Sequence, residues 1–249
     1  MQNYAKDSAK YYDLVHHKKD YLSEVLFLER VWNDYRIKKV LDVGCGTGNH
    51  SVMLAKKNPK FSFFGIDMSK DMIDIAKSKS SEVNNVQFHN VSIQNFHENN
   101  FNAIISMFYV INHILSLSEL ISFFKDMRKK LAVGGVLIFD CWNGIASVRD
   151  LPKTTTRTRY TDSALTLKTT CVPEIDLFNS FIKMKNKVEL LMTSGEYHFY
   201  NEVLCHVMWS PKIIKEVLNI AGFKTVDCYK TYEFKQCNEN DFKIIFVCK

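Results

Sequence analysis

The sequence has little of what marks several protein classes. Its 249 residues include only four prolines and nine glycines. The longest apolar run, residues 103–111, is interrupted by Ser106 and falls short of the roughly 18 apolar residues that a membrane-spanning helix needs. With 46% hydrophobic and 24% charged residues, this composition excludes wholesale disorder and collagen, and it predicts a folded, soluble chain with no membrane span.

The seven cysteines are odd in number, and no two of them form a C-x-x-C pair. A disulfide framework or a zinc site needs paired or closely spaced cysteines. We therefore expect free thiols and no metal site. The first twenty residues are rich in charge and contain no apolar core, so no signal peptide is predicted and the expected compartment is the cytoplasm.

The net charge of +6 is spread along the chain. Residues 1–39 carry 8 basic and 6 acidic side chains, or +2, and residues 150–249 carry 14 and 12, again +2. Without a concentrated basic stripe the sequence does not favour nucleic-acid binding. A basic balance is compatible with an anionic small substrate.

Strands and helices alternate between about residues 20 and 145. Short apolar runs predict the strands, Ser69 is expected to cap a helix, and Gly134 and Gly135 are expected to end another. Such alternation is typical of an α/β protein with a doubly wound parallel sheet. The predicted strands of this part are 39–43, 61–66, 86–89, 103–107 and 136–141.

The pattern changes after Leu151, where apolar and polar residues alternate with period two in residues 164–171, 180–190 and 197–207. This alternation predicts an antiparallel β insertion over residues 150–208, on the substrate side. Pro211 then opens a helix, and two more strands are expected to return to the main sheet. We therefore predict one domain formed by residues 1–149 and 209–249, with an N-terminal lid.

The most informative stretch is a buried strand followed by glycines 44, 46 and 48 and the start of a helix. Glycines there let a ligand approach the backbone, and the helix presents free N–H groups. A dinucleotide fingerprint needs a further glycine, but Asn49 follows Gly48. Asp67 ends the next strand, where its carboxylate can accept hydrogen bonds from both hydroxyls of a ribose. These residues predict a nucleoside site.

The motif LDVGCGTG and the acidic end of the second strand resemble the class I S-adenosylmethionine-dependent methyltransferases. The segments YAKDSAKYYDLVHHKKDY, MFYVINHI and FDCWNGIAS are similar to small-molecule methyltransferases, above all to the N-methyltransferases of nucleotide-linked amino sugars. The resemblance implies a Rossmann-like, seven-stranded methyltransferase sheet whose last strand is antiparallel. It also implies S-adenosyl-L-methionine as the cofactor.

The resemblance implies particular roles at matching positions. Asp67 corresponds to the ribose acceptor, Met68 and Ile93 to the adenine walls, and Ser92 stands where the family usually has an acid that binds the adenine amino group. Met107 and Phe108 correspond to the wall near the sulfonium. The full expected cofactor set is Tyr12, Tyr21, Gly44, Cys45, Gly46, Gly48, His50, Asp67, Met68, Ser92, Ile93, Met107 and Phe108.

His113 and Tyr12 are the candidate catalytic residues, because they match a histidine and an N-terminal tyrosine near the reaction centre of the amino-sugar enzymes. A base is required only where the nucleophile carries a proton to be removed. Arg157, Arg159 and Lys168 form a further candidate group, either for a diphosphate or as a solvated basic face.

The sequence thus predicts a methyltransferase that acts on nitrogen or oxygen of a small polar metabolite, with a nucleotide-linked or surface-polysaccharide amino sugar as the leading acceptor. No nucleic-acid or membrane partner is expected, and monomer and homodimer both stay open. The alternatives are another small acceptor, a non-catalytic cofactor-binding protein, and a nicotinamide oxidoreductase, which the missing glycine disfavours.

Overall fold

The computed structural model describes residues 6–230 and 232–249. Within these residues the chain forms a large mixed sheet covered by helices and a smaller antiparallel sheet. The helices are α1 (Lys6–Val15), α2 (Tyr21–Trp32), α3 (Asn49–Lys57), α4 (Lys70–Lys79), α5 (Leu117–Lys130), α6 (Gly144–Arg149) and α7 (Pro211–Ile220), with a 3₁₀ turn at Val110–His113.

The strands follow the predicted alternation. They are β1 (Lys39–Val43), β2 (Ser62–Asp67), β3 (Val86–Asn90), β4 (Phe101–Ser106), β5 (Leu131–Trp142), β6 (Thr155–Thr161), β7 (Leu165–Asp176), β8 (Phe181–Met192), β9 (Tyr197–Val207), β10 (Val226–Lys230) and β11 (Lys243–Cys248).

The large sheet has seven strands in the order β10-β11-β5-β4-β1-β2-β3. Strands β1 to β5 pair in parallel, whereas β11 is antiparallel to both β5 and β10. The predicted seven-stranded Rossmann-like sheet with an antiparallel last strand is therefore confirmed. Strands β2 and β3 follow on one side of β1, and β4 and β5 on the other, so the order of strand addition reverses at β1. At such a point the carboxyl ends of the neighbouring strands border a crevice suited to ligands.

Each face of this sheet is covered by apolar helix surfaces. Phe123 and Phe124 of α5 pack with Phe139 on one face. Leu28 of α2 and Leu54 of α3 pack on the other. Burial of such side chains on both faces is the dominant favourable contribution to folding, at about 25 cal/mol per Å² of apolar surface.

The smaller sheet has the order β6-β7-β8-β9, all antiparallel, and confirms the expected β insertion. Helix α1 contacts α4 and strands β6, β7 and β9, so it lies between the two sheets. Strand β6 was not predicted, because Thr155–Thr161 lacks a regular apolar alternation.

One helix end differs from its prediction. Helix α5 ends at Lys130, and strand β5 begins at once at Leu131, so Gly134 and Gly135 lie inside the strand. They occupy the stretch where the register against β4 shifts. A glycine pair thus marks an irregular strand here.

Among the residues that the structure describes, no helix combines the length and the apolar character needed to cross a bilayer.

Candidate active site

The loop after β1 is fastened to the end of β2 by backbone bonds. Gly44 N and Cys45 N donate to the carbonyl oxygen of Ile66 at 2.8 and 3.1 Å. Gly46 N donates to Asp67 Oδ2 at 2.9 Å, and Ser69 N donates to Asp67 Oδ1 at 2.8 Å. Asp67 therefore joins the glycine loop to the start of α4.

The three loop glycines all have positive φ but differ in their surroundings. A Cβ on Gly44 would lie 2.7 Å from a methyl of Val110, and one on Gly48 would lie 2.7 Å from the ring of Phe88. A Cβ on Gly46 would meet nothing within 4 Å. Gly44 and Gly48 thus permit close packing within the protein, whereas Gly46 faces open space where a ligand can approach the backbone.

Burial raises the pKa of Asp67, against the backbone N–H groups of Ser69 and Gly46 that stabilise its charge. Each carboxylate oxygen has two lone pairs, so these two bonds leave acceptor capacity on both oxygens. The carboxylate can accept from a pair of neighbouring hydroxyls without losing its structural bonds.

A cavity lies beside this loop, and we call it the glycine-loop cavity. It has two adjoining parts, which share Tyr12, Gly44, Gly46, Met107 and Phe108. The part toward Asp67 also includes Met68, Met72, Val110 and His113, and the part toward α3 includes Tyr21, Cys45, Thr47, Asn49 and His50.

Eleven of the expected site residues thus line one cavity. Three do not: Gly48 packs on Phe88, Ile93 is 1% exposed in the apolar core, and Ser92 accepts through its backbone oxygen from Asn95 and Phe96. The part of the cavity toward Asp67 has a volume of about 60 Å³, and the part toward α3 about 30 Å³.

His113 ends the 3₁₀ turn after β4, and its Nδ1 lies 3.0 Å from the carbonyl oxygen of Cys205. Because a carbonyl can only accept, Nδ1 carries the proton. Burial lowers the pKa of His113, although the Cys205 bond opposes that shift. The ring is therefore neutral near pH 7, with Nε2 free of a proton, the tautomer that a proton acceptor needs.

A second, larger space meets the first at Phe108, and we call it the outer cleft. Its volume is about 1000 Å³. The lining is rich in charged and aromatic side chains, namely His16, His17, Lys18, Lys19, Asp20, Glu24, Phe108, Tyr109, Trp142, Arg157, Arg159, Tyr232, Phe242 and Lys243. Lys168 is not among them, so the structure brings Arg157 and Arg159, but not Lys168, to this cleft.

A buried ionic network lies at the wall of the outer cleft. Glu24 is 1% exposed and contacts Lys19, His50 and the hydroxyl of Tyr232. Burial opposes ionisation of Glu24, but His50 and Lys19 prevail and lower its pKa to about 2. Lys19 Nζ also lies 4.6 Å from the centroid of the Phe108 ring. The ion pair with Glu24 therefore holds the Lys19 ammonium group next to the Phe108 ring.

A model of the methyltransferase domain matches residues 36–222, which include the glycine loop, Asp67 and His113. The chain belongs to the methyltransferase family. The predicted enzyme class, an S-adenosylmethionine-dependent methyltransferase, is thereby confirmed.

Similar proteins extend the match over nearly the whole methyltransferase. A protein of Geobacillus sp. (strain WCH70) that is named as a methyltransferase is 24% identical, with 97% of each chain covered. An S-adenosylmethionine-dependent methyltransferase from Clostridium acetobutylicum superposes with a TM-score of 0.78 at 22% identity, covering 98% of this chain and 97% of that one. The sugar N-methyltransferase KedS8 from Streptoalloteichus gives 0.79 at 19% identity, covering 100% and 93%.

The residues of the glycine-loop cavity fit S-adenosylmethionine. Asp67 has acceptor capacity for a ribose, Gly46 leaves room at the backbone, and Met68 and Met72 offer apolar walls to an adenine. Met107 and Phe108 present a thioether and an aromatic ring, which attract a cation such as a sulfonium.

Sequence reasoning missed the hydrogen bonds of Asp13 that hold α1 beside this cavity, which we call the latch. Asp13 accepts from Thr47 Oγ1 at 2.7 Å, Asn49 Nδ2 at 2.9 Å and Lys79 Nζ at 2.8 Å. On the opposite side of α1, Ser8 donates to Glu202 of β9. Asp13 stands in a helix that was expected only as a lid, and its partners are at least 34 residues away, so no local pattern reveals it.

Proposed function

We propose that this methyltransferase transfers a methyl group to the nitrogen, or an oxygen, of a small anionic metabolite in the cytoplasm, with a nucleotide-linked or surface-polysaccharide amino sugar as the leading acceptor. One observation carries the proposal. The outer cleft, with its basic lining, meets the glycine-loop cavity at Phe108, so a donor and an anionic acceptor bound on either side have their reacting groups near one ring.

The charges of the outer cleft support an anionic acceptor. Its lining includes the five cations Lys18, Lys19, Arg157, Arg159 and Lys243 and only the two carboxylates Asp20 and Glu24. Burial, followed by the charge of Arg157, lowers the pKa of Arg159, and burial lowers that of Lys243. Cations confined together gain free energy when an anion such as a phosphate arrives.

Within the cleft, Arg159 is already oriented for such a ligand. Its Nε donates to Thr169 Oγ1 at 2.9 Å, which fixes the plane of the guanidinium. A fixed guanidinium binds a phosphate or carboxylate through two parallel bonds with little loss of side-chain entropy. Arg157 lies two residues away on β6 and lines the same cleft.

Methyl transfer requires the protein mainly to place the acceptor's nucleophile in line with the methyl group. S-adenosylmethionine, when bound, supplies an electrophilic methyl group on a sulfonium. Asp67 would orient the ribose, Tyr12 and Tyr21 would close the lid side, and Phe108 would line the junction where the methyl group meets the acceptor. His113, neutral and protonated on Nδ1, lines the glycine-loop cavity and not the outer cleft, so it would take up the released proton from an acceptor group that reaches past Phe108 to the methyl group. Alignment of nucleophile and methyl group supplies much of the acceleration.

An acceptor screen tests the proposal. Release of S-adenosylhomocysteine and the product mass are measured with nucleotide-linked amino sugars, nucleotide-linked neutral sugars and the same amino sugars without the nucleotide. We expect one or more added methyl groups on a nucleotide-linked amino sugar and no turnover of the free sugar. Tight S-adenosylhomocysteine binding with no turnover across the panel would overturn the acceptor assignment and leave the family intact.

A further inference from the structure

The chain takes an unusual course between β4 and the 3₁₀ turn. Phe108 and Tyr109 both lie in the left-handed region, with φ of 72° and 66°. Neither is glycine or asparagine, and a bulky L-residue pays a steric penalty in this region. Two such residues in succession persist only where the surroundings hold them.

A buried carboxylate holds this turn. Tyr109 N donates to Asp140 Oδ1 at 2.8 Å, and Asp140, near the carboxyl end of β5, has no exposed surface. The other carboxylate oxygen lies 3.4 Å from the hydroxyl of Tyr232. A second bond joins the same segments: Asn112, three residues after Tyr109, accepts through its Oδ1 from Trp142 N at 3.0 Å. The turn is thus bonded to the end of β5 at two points.

The turn determines where the ring of Phe108 lies. Phe108 lines both parts of the glycine-loop cavity and also the outer cleft. Its ring makes an edge contact with His16, with centroids 5.1 Å apart, and lies under Lys19 Nζ. A rotation of the Phe108–Tyr109 turn toward ordinary backbone angles would carry the ring away from this junction.

We infer that Asp140 is a positioning residue whose carboxylate clamps the Phe108–Tyr109 turn and thereby keeps Phe108 at the junction where the donor and acceptor spaces meet. The inference rests on the proposed assignment of these two spaces. It gives a role to a buried carboxyl group that has no salt-bridge partner among the described residues. Burial, and then the negative charge of Glu24, raise the pKa of Asp140 to about 7, which shows that the group is costly to keep in its charged form.

The test compares variants by their affinity for S-adenosylhomocysteine, a probe that needs no acceptor, and by amide exchange at Tyr109. Asp140→Leu removes the clamp, and we expect at least a tenfold loss of affinity and faster exchange of the Tyr109 amide. Asp140→Asn keeps an oxygen that accepts from Tyr109 N and should stay within threefold of the wild type. If Asp140→Leu does not fold, Asp140→Ser, whose side chain is too short for the bond, takes its place with the same expectation.

Asn143→Ala is the matched control. Asn143 is 1% exposed, three residues beyond Asp140, and its side chain donates to the carbonyl oxygens of Asn238 and Asp241. Its loss should lower the melting temperature and leave S-adenosylhomocysteine affinity unchanged. The inference would be overturned if Asp140→Leu kept the wild-type affinity and the wild-type exchange rate of the Tyr109 amide. It would also be overturned if Asp140→Leu and Asn143→Ala had the same melting temperature and lost affinity equally. Neither result depends on which acceptor the enzyme uses.

Discussion

His113 combines a fixed tautomer with a lowered pKa, since burial outweighs the opposing bond to Cys205. If Nε2 accepts the proton that the acceptor releases, His113→Ala should lower kcat by about 10² or more, with little change in S-adenosylhomocysteine affinity. In the wild type, the acid limb of the kcat/KM profile should lie below about 6.5, the ordinary histidine pKa. Steady-state kinetics between pH 5 and 8 on both proteins measure these values.

A control histidine makes the His113 result interpretable. His89 of β3 lines neither the glycine-loop cavity nor the outer cleft, so His89→Ala should keep kcat near that of the wild type. A loss below about tenfold in His113→Ala would show that alignment alone carries the reaction, as it can when an uncharged amine is the nucleophile.

Glu24 makes stability depend on pH. Its pKa is about 2 in the folded chain against 4.5 for a free glutamate, because His50 and Lys19 overcome the effect of burial. A lowered folded pKa adds stability that is fully present above about 4.5 and is lost as the pH falls toward 2. Glu24→Gln should therefore lower the free energy of unfolding by about 3 kcal/mol at pH 7, and by less than half as much at pH 3, in urea titrations.

Glu29 lies on the same helix and provides the comparison for Glu24. Its carboxylate pairs with Lys57 at 3.4 Å near the surface, where an ion pair contributes about 1 kcal/mol or less. Glu29→Gln should thus change the unfolding free energy little at either pH. An equal loss for Glu24→Gln at pH 3 and pH 7 would contradict the account of the buried network.

At the scale of elements, helix α1 covers the glycine-loop cavity and is held there by the latch. Asp13 bonds it to Thr47, Asn49 and Lys79, beside the glycine-loop cavity that Tyr12 of the same helix lines. Asp13→Ala should open the cover more often, so S-adenosylhomocysteine should dissociate at least tenfold faster and the amides of α1 should exchange faster. Stopped-flow fluorescence and hydrogen exchange measure these rates.

The same helix supplies the control for the latch. Asp7 is an exposed carboxylate at the opposite end of α1, and Asp7→Ala should leave the dissociation rate unchanged. Raising the salt concentration should speed dissociation in the wild type, because it screens the half-exposed pair between Asp13 and Lys79. An Asp13→Ala protein with wild-type dissociation and exchange would show that the latch does not control entry.

Sequence periodicity located most elements because each buries a regular apolar face. Strand β1 matches its predicted bounds, and Ser69 caps α4 as expected, accepting from Met72 N. The errors arise where tertiary contacts override local pattern. Strand β6 is formed by pairing with β7, although Thr155–Thr161 has mainly polar side chains.

Some residues of the candidate site could be predicted from local sequence pattern, and others could not. The glycine loop and Asp67 were visible because backbone conformation and ligand chemistry restrict the residue types there. Asp140 and Asp13 were not, since their partners are distant in the chain, as with Tyr109 and Asp140, which are 31 positions apart. Glu24 was not either, because its partners His50 and Tyr232 lie on other elements. The left-handed angles of Phe108 and Tyr109 were equally hidden, because nothing in the local sequence calls for them.

At the scale of the whole molecule, the β insertion contributes arginines to a cleft that the main sheet helps to form. Arg159→Ala removes a fixed guanidinium and should raise KM for a nucleotide-linked acceptor by about ten- to a hundredfold, with kcat changed much less. Lys168→Ala, on β7 of the same sheet but outside the cleft lining, is the matched control and should keep the wild-type KM. Equal effects of the two variants would contradict an anion site at Arg159.

The central claim is that donor and acceptor meet at Phe108, and a crystal structure of the complex with S-adenosylhomocysteine tests it most directly. The account predicts both ribose hydroxyls on the Asp67 carboxylate and the sulfur beside the Phe108 ring, facing the outer cleft with Arg157 and Arg159. A ribose bound away from Asp67, or a sulfur that faces away from the cleft, would contradict it.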